Sequence, residues 1–273
     1  MSLTGDGKEF VKICEFYDEE KTKIKFEKWL LDNNLHRIDG PAEIRYYKNG
    51  NIYYEIYYVE GEKCRLDDGP IEIYYFENGE CHFENYYSQN VFVNILYYDN
   101  GMIQSVSYFK IKNKTKKYHS EDGPALILYS RDGNIIYECY YTNGAIHRED
   151  GPCIIEYFDN GRIKLKQYYI DCKLHREDGP AVTEYYVDGS ISCEKYYLND
   201  VIHHEQENGP SIIHYYENGL VKLEEFYENG KYRNHLNGPS KIHYYDNGKI
   251  ELETYYCTRE NKIKKEVHYE NKI

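Results

Sequence analysis

The sequence predicts an all-β fold: an elongated, open array of antiparallel β-hairpins, built as a single-layer or solenoid-like sheet from about eight units of about 28–30 residues. Three observations support it. A Gly-Pro dipeptide recurs seven times, a second Gly stands nine residues after each of these prolines, and an aromatic pair follows seven and eight residues after that Gly. Self-similarity at such a period indicates units that pack mainly on their neighbours.

The first element of each unit is a strand that starts at the proline. In residues 42–46, apolar Ala42, Ile44 and Tyr46 alternate with charged Glu43 and Arg45. This period of two places the two kinds of side chain on opposite faces of a strand. The fifth residue after the proline is tyrosine in every copy: Tyr46, Tyr75, Tyr129, Tyr157, Tyr185, Tyr215 and Tyr244.

A tight turn and a second strand follow. Each turn carries Asn-Gly or Asp-Gly between alternating apolar runs, which is a strong hairpin signal. The aromatic pair ends the second strand and puts one ring on each face of the sheet. The first ring of each pair is our candidate binding face, with stacking between units as the alternative. These rings belong to Tyr57, Tyr86, Tyr108, Tyr140, Tyr168, Tyr196, Phe226 and Tyr255.

A polar loop returns the chain to the next Gly-Pro. Its fullest copies, residues 36–39, 147–150 and 175–178, read His-Arg-x-Asp. Histidine and carboxylates are possible metal ligands or acid–base partners. The alternative is structural: the Asp caps the turn before Gly, and the Arg pairs with an acidic group of the neighbouring loop. Repetition favours the structural interpretation, because catalysis needs one asymmetric constellation. We therefore assign no catalytic residue, no cofactor and no metal site.

Composition limits the partners. The formal net charge is −13, which disfavours nucleic acid and anionic lipid surfaces. No apolar stretch approaches the length of a membrane span, and the eight cysteines lack CxxC pairs or secretory spacing. We expect free thiols, with Cys139 and Cys193 as an alternative redox pair, and a cytoplasmic protein, in the host cytoplasm or in the virion if it is viral.

One unit departs from the pattern. The third copy, residues 81–117, keeps Gly101 but has lost its Gly-Pro. A lysine-rich segment stands where the usual loop would be. Broken periodicity is where a specific docking site is expected, so we take this segment as a candidate docking patch. Its residues are Lys112, Lys114, Lys116 and Lys117.

These tandem units resemble the MORN-type family of Tyr-rich β-hairpin repeats. The longer unit with an inserted Leu-His-Arg-x-Asp-Gly-Pro loop, as in residues 35–41 and 174–180, is similar to the version found in giant DNA viruses. The resemblance covers nearly the whole chain. It implies an array of hairpins, contacts with proteins or lipid surfaces, and no catalytic residues.

The predicted function follows from these features. We expect a non-enzymatic scaffold that presents repeated Tyr and Glu rows to an unidentified protein. The alternatives are a structural component of a viral particle or assembly and a membrane-surface attachment module. We expect residues 1–26 to form an N-terminal cap and degenerate unit, residues 27–261 the tandem hairpins, and residues 262–273 a C-terminal cap.

Overall fold

A computed structural model describes residues 2–3, 9–88, 90–112, 115–203, 209–234, 237–257 and 262–271. The described residues form strands, turns and loops without an α-helix, so the all-β array of hairpins is confirmed. The chain divides into two compact units. Unit 1 comprises Met1–His119 and Ala125–Asn134, and unit 2 comprises Ser120–Pro124 and Ile135–Ile273.

The strands of unit 1 form one antiparallel sheet and one small hairpin. They are β1 (Ser2–Leu3), β2 (Glu9–Phe16), β3 (Ile24–Leu31), β4 (Asn34–Leu35), β5 (Glu43–Tyr46), β6 (Ile52–Ile56), β7 (Tyr58–Val59), β8 (Glu62–Lys63), β9 (Glu72–Tyr75), β10 (Cys81–Ser88), β11 (Val91–Tyr97), β12 (Ile103–Lys112), β13 (Thr115–Tyr118) and β14 (Leu126–Tyr129). The sheet runs β1-β2-β3-β5-β6-β9-β10-β11-β12-β14. Strand β4 pairs with β3, β13 pairs with β12, and β7 pairs with β8.

Unit 2 repeats the same plan more regularly. Its strands are β15 (Ile135–Cys139), β16 (Tyr141–Thr142), β17 (Ala145–Ile146), β18 (Ile154–Tyr157), β19 (Ile163–Gln167), β20 (Tyr169–Ile170), β21 (Lys173–Leu174), β22 (Val182–Tyr185), β23 (Ile191–Lys195), β24 (Tyr197–Leu198), β25 (Val201–Ile202), β26 (Ile212–Tyr215), β27 (Val221–Glu225), β28 (Tyr227–Glu228), β29 (Lys231–Tyr232), β30 (Lys241–Tyr244), β31 (Ile250–Cys257) and β32 (Lys262–His268). The sheet runs β15-β18-β19-β22-β23-β26-β27-β30-β31-β32. Four two-stranded hairpins accompany it: β16–β17, β20–β21, β24–β25 and β28–β29.

The turn between the two long strands is a three-residue loop in which Gly alone takes a positive φ. Gly189 has φ 96° and donates its N–H to the Tyr186 carbonyl oxygen at 2.9 Å. The preceding Asp188 instead accepts the Ser190 N–H at 2.8 Å. The same acceptor role belongs to Asn49, Asn78, Asn100, Asn160, Asn218 and Asn247. The Asn or Asp therefore contributes a side-chain oxygen that accepts a backbone N–H, and the Gly contributes a backbone that adopts positive φ.

The small hairpins close differently. Their two turn residues both have positive φ, as in type I′ turns that suit the twist of paired strands. The pairs are Asp32 and Asn33, Glu60 and Gly61, Asn143 and Gly144, Asp171 and Cys172, Asn199 and Asp200, and Asn229 and Gly230. Successive hairpins are also joined: the Cys172 N–H donates to the Ile146 carbonyl at 3.0 Å, and the Asp200 N–H to the Leu174 carbonyl at 2.9 Å. The hairpins thus form a layer of their own.

The core of each repeat includes the residue directly after the proline, which is Ala, Cys or Ser in every copy except Ile71. Ser240 shows how closely this position is enclosed. Its hydroxyl donates to the Arg233 carbonyl oxygen at 2.8 Å and accepts the Tyr256 N–H at 2.9 Å, so it lies between its own sheet and the returning loop. This position is 0–5% exposed in every copy: Ala42, Ile71, Ala125, Cys153, Ala181, Ser211 and Ser240.

Tyrosine hydroxyls tie neighbouring repeats together in two ways. The tyrosine five residues after the proline donates to a glutamate of the preceding strand, as in Tyr215 to Glu194 at 2.7 Å. The same bond forms in Tyr46–Glu27, Tyr75–Glu55, Tyr97–Glu84, Tyr157–Glu138 and Tyr244–Glu224. The next tyrosine reaches forward, as in Tyr186 to the Tyr215 carbonyl at 2.7 Å. Many of the tyrosines therefore form hydrogen bonds that hold neighbouring repeats together.

Candidate functional site

Among the described residues, five loop arginines lie over the first ring at the end of the second strand in their own repeat. In Arg176 the guanidinium carbon is 4.1 Å from the Tyr168 ring centroid, Nε donates to Asp178 at 2.8 Å, and Nη1 donates to the Pro180 carbonyl at 3.4 Å. The stacking recurs within 4.0–4.2 Å in Arg37–Trp29, Arg65–Tyr57, Arg148–Tyr140 and Arg233–Phe226. We call this arrangement the arginine lid.

The lid corrects one expectation. The arginine pairs with the aspartate two residues later in its own loop, not with an acid of the neighbouring loop, as Arg37–Asp39 and Arg148–Asp150 show at 2.9 and 2.8 Å. A contact within one loop fixes that loop over its own ring. The arginine and aspartate therefore set the shape of the loop, and the guanidinium is shared between a ring face and a carboxylate.

The loop histidines lie beside the hairpin of the next repeat. His36 is 5% exposed, and its Nδ1 accepts the Glu60 N–H at 3.0 Å. In unit 2, His147 Nδ1 lies 3.5 Å from Asp171 Oδ1, and His175 Nε2 lies 3.6 Å from Glu177 Oε1. No group of three or more His, Cys, Asp or Glu residues among the described positions is arranged to hold a metal ion. The described contacts of these histidines are thus made within the fold.

Clefts open between successive loops of the repeated motif. In unit 2, a cleft of about 630 Å³ lies between residues 148–151 and 175–178, with Tyr168, Tyr169 and Ile170 along its wall. A neighbouring cleft of about 410 Å³ lies between residues 120–123 and 147–150, with Tyr140 and Tyr141 along its wall. Unit 1 has a counterpart of about 360 Å³ between residues 37–40 and 64–67.

The rims of these clefts are acidic. Asp150 and Asp178 are about 83–84% exposed, and the hydrogen bond and charge of the loop arginine hold the pKa of each carboxyl below its ordinary value. Glu149 and Glu177 stand on the same rims, 93% and 81% exposed. Because Asp150 and Asp178 are each paired with an arginine, Glu149 and Glu177 supply the negative charge that remains on these two loops.

The eight rings of the candidate binding face are half-buried or buried, and arginine lids cover some of them. Seven of them are half-buried, and Phe226 is 6% exposed. Arginine lids cover four: Tyr57, Tyr140, Tyr168 and Phe226. Burial raises the pKa of Tyr57, Tyr140 and Tyr196, and raises that of Tyr86 to about 12. The remaining members, Tyr108 and Tyr255, are also half-buried. Their role in binding remains a prediction.

The candidate lysine patch lies at β12 and β13 of unit 1. Lys112 ends β12, and Lys114 falls outside the described residues. The Lys116 ammonium lies over Phe92 and Phe109, at 4.9 and 4.2 Å from their ring centroids, and desolvation lowers its pKa. Lys117 is exposed on β13, opposite Lys110. In this patch the Lys116 ammonium is therefore engaged with two rings, whereas the Lys117 side chain faces solvent.

The cysteines of the alternative redox pair are free and buried. Cys139 is 0% and Cys193 is 2% exposed, and burial raises the pKa of both thiols, that of Cys193 to about 12. A thiol held protonated in this way is a poor nucleophile. The exposed cysteines are Cys14 and Cys172.

The chain was compared with known proteins. No family model and no curated protein matches it. Among solved structures it is similar to the pore of a Photorhabdus luminescens Tc holotoxin (12% identity, TM-score 0.21) and to TcdB2-TccC3-TEV (10% identity, TM-score 0.20). Each likeness covers 93% of this chain but only 15% of the other, and at these TM-scores it carries no functional argument. Within the described part of the chain, no helix is long and apolar enough to cross a membrane.

Sequence reasoning missed the arginine lid and the clefts it shapes. The sequence does contain a signal, because in four repeats the aromatic residue and the loop arginine stand eight positions apart. The pairs are Trp29 and Arg37, Tyr57 and Arg65, Tyr140 and Arg148, and Tyr168 and Arg176. Where the loop carries Ser120 in place of arginine, this spacing is lost. A fixed offset between a cation and an aromatic residue, repeated unit after unit, is the pattern that predicts their contact.

Proposed function

We propose that this chain is a non-enzymatic scaffold for protein–protein interaction whose loops present the binding surface. One observation carries the proposal: three successive loops of unit 2 hold the same exposed carboxylates above two neighbouring clefts. Regular, solvent-facing chemistry on a hydrogen-bonded scaffold suits an extended partner that makes the same contact several times.

The tyrosine and glutamate rows contribute less to this proposal than the loops do. In the repeats named above, the row glutamates accept hydrogen bonds from row tyrosines, and the rings of the candidate face are half-buried or buried. Groups already engaged within the fold have less to offer a partner. We keep the first-ring row as the wall of the clefts, where Tyr140 and Tyr168 lie.

The absence of an assigned enzymatic role follows from the same repetition. The loops of Arg37, Arg65, Arg148 and Arg176 set arginine, aspartate and ring in one geometry, and each arginine binds an aspartate of its own loop. Catalysis requires an acid, a base or a nucleophile that converge on one reacting atom. A motif copied at each repeat supports stacking and recognition instead.

The test is a pull-down from native lysate with a matched pair of variants. In the loop variant, Glu121→Gln, Glu149→Gln and Glu177→Gln remove three exposed carboxylates from the cleft rims. In the control, Asp159→Asn, Glu217→Gln and Asp246→Asn remove three exposed carboxylates from the tight turns of the same unit. We expect one stoichiometric protein with the wild type and the control, and its loss with the loop variant. Retention by the loop variant contradicts the proposal.

We also propose that the chain belongs to the MORN-type Tyr-rich hairpin repeats, in the long-unit version of giant DNA viruses, and that assembly into a viral particle is the second candidate function. An antiparallel array of this kind can extend by pairing a sheet edge with another chain. Light scattering over a hundredfold range of concentration tests this, and a constant monomer mass contradicts it.

A further inference from the structure

Resting on the proposed scaffold function, we infer that the two neighbouring clefts of unit 2 bind an extended, positively charged segment of a partner protein. The segment takes the polyproline II conformation and carries Lys or Arg at every third residue. The site consists of the loops at residues 120–123, 147–151 and 175–178 and the rings between them. We choose this occupant because of the charge of the cleft rims, the spacing between the clefts and the aromatic residues of their walls.

Charge complementarity selects a cation. The lid arginines Arg148 and Arg176 are bound to aspartates of their own loops and lie on rings. Their positive charge is therefore matched within the site. Glu149 and Glu177 remain on the rims, more than 80% exposed. An ammonium or guanidinium entering between two loops meets carboxylates from both sides.

The spacing of the clefts selects the backbone. One repeat contributes two strands to the sheet, as the register from Ile154 through Gln167 to Val182 shows. Two strand spacings amount to about 9.4–9.8 Å. The loops follow this step, since the Arg176 N–H donates to the Tyr197 carbonyl of the next repeat at 3.1 Å. Neighbouring clefts are thus spaced by about 9.6 Å.

A polyproline II segment matches that step. It has three residues per turn and rises about 3.1 Å per residue, so every third side chain lies on one face, about 9.3 Å from the last. A β-strand covers about 9.9 Å in three residues but points the third side chain to the opposite face. A helix returns to the same face after seven residues and about 10.5 Å, and the mismatch grows with each cleft.

The walls suit the same backbone. The larger cleft is lined by Tyr168, Tyr169 and Ile170, with Ile170 44% exposed, and the smaller by Tyr140 and Tyr141. Grooves with aromatic walls receive proline-rich segments, because the preformed polyproline II chain loses little entropy on binding. Two non-cationic residues of each triplet can therefore pack on rings while the third reaches the rim.

Fluorescence anisotropy with synthetic peptides tests the inference on the full chain. The probe is a fluorescein-labelled peptide of four Lys-Pro-Pro triplets, and the matched peptide has the same composition with its lysines in one block. We expect the triplet peptide to bind about fivefold more tightly, since only it satisfies both clefts at once. The loop variant defined above should weaken the triplet peptide by about tenfold at low salt, and the turn control should not.

Each outcome decides. Equal affinity for the two peptides, or equal affinity of wild type and loop variant for the triplet peptide, overturns the inference. So does tighter binding of a helical peptide with lysine at every seventh residue. If the pull-down partner is lost with the loop variant while the triplet peptide does not bind, the scaffold function stands and this occupant is wrong. If neither responds to the loop variant, both fail.

Discussion

The regular repeats at residues 140–197 and the irregular stretch at residues 81–118 cover the same position of the fold by different means. In the regular repeats the chain leaves the sheet after a five-residue strand, forms a small hairpin, and places an arginine on the ring. In the irregular stretch, β10 and β12 continue for 8 and 10 residues. Rings cover one another there: Tyr87 stacks on Phe92 at 4.4 Å.

The difference shows which parts of the fold depend on the Gly-Pro loop. Antiparallel pairing from β9 to β12 proceeds without it. The hairpin layer and the clefts depend on it, because both arise where the chain turns away from the sheet. The loop therefore adds a hairpin layer and clefts to a sheet that pairs with or without it.

The largest effects are expected at the buried position after the proline. Ala181 is 0% exposed between a sheet and a loop, whereas its equivalent Ile71, which precedes the irregular stretch, is 5% exposed. Ala181→Ile should lower the free energy of unfolding by about 1–3 kcal/mol through overpacking. Ile71→Ala should cost about 2–5 kcal/mol through a cavity. Urea denaturation measures both, and a neutral Ala181→Ile would show that the two environments are equivalent.

A smaller effect is expected from the two kinds of ring cover. Arg176→Ala should cost about 1–2 kcal/mol, because it uncovers Tyr168 and removes a planar group that also binds Asp178 and Pro180. Arg176→Lys should recover only part of this, since an ammonium cannot stack as a plane. Lys116→Ala should cost less than about 1 kcal/mol. Thermal and urea unfolding compare the three variants, and an equal loss at Arg176 and Lys116 contradicts the distinction.

The tyrosine–glutamate bond should be worth the same in both regions. Tyr97→Phe in the irregular stretch and Tyr157→Phe in a regular repeat each remove a hydroxyl that donates to a carboxylate, at 2.7 and 2.6 Å. Each should cost about 1–2 kcal/mol. Tyr185 is the matched control, since Lys166 rather than a glutamate lies by its ring. Tyr185→Phe should change stability by less than about 0.5 kcal/mol in the same urea series.

The smallest effect is the loss, at acidic pH, of the stability contributed by the arginine–aspartate pairs of the lids. The pKa of Asp150 and of Asp178 is lowered by the lid arginines. The pairs therefore add stability above the ordinary aspartate pKa of about 3.9, and lose it as pH falls through the lowered value. An Arg148→Gln, Arg176→Gln variant should melt below the wild type at pH 7, with the gap narrowing below about pH 4. A gap independent of pH would assign the lid to ring stacking alone.

The sequence was sufficient for the strands, because their signals are local. Alternation after Pro180 places Val182 and Glu184 on one face and Tyr185 at the strand end, and the structure has β22 there. The glycine turns were also predicted, although their asparagines serve as acceptors rather than as positive-φ residues. The small hairpins were missed as separate strands, because a two-residue strand such as β20 has no periodicity to detect.

The candidate site was harder to predict, because it depends on contacts between positions that are distant in sequence. We expected Asp39 to cap its turn and Arg37 to pair with an acid of the neighbouring loop. Arg37 instead pairs with Asp39 and lies over Trp29, which belongs to a different element. Clefts are shaped by two loops about 28 residues apart, and no single repeat contains one. The lysine segment was predicted from broken periodicity alone, which gave no indication that Lys116 would lie over Phe92 and Phe109.

The hydrogen bonds from tyrosine hydroxyls to the next unit bear on how the number of repeats can change in evolution. Tyr186 reaches the Tyr215 carbonyl and Tyr216 reaches the Tyr244 carbonyl, so each bond needs only the unit that comes next. Duplication or loss of one whole regular unit therefore leaves a hydroxyl such as that of Tyr186 with an equivalent carbonyl acceptor in the unit that follows. A change in the number of units therefore leaves the bonds between the remaining units intact, and under the proposal above the length of the bound segment scales with the number of units.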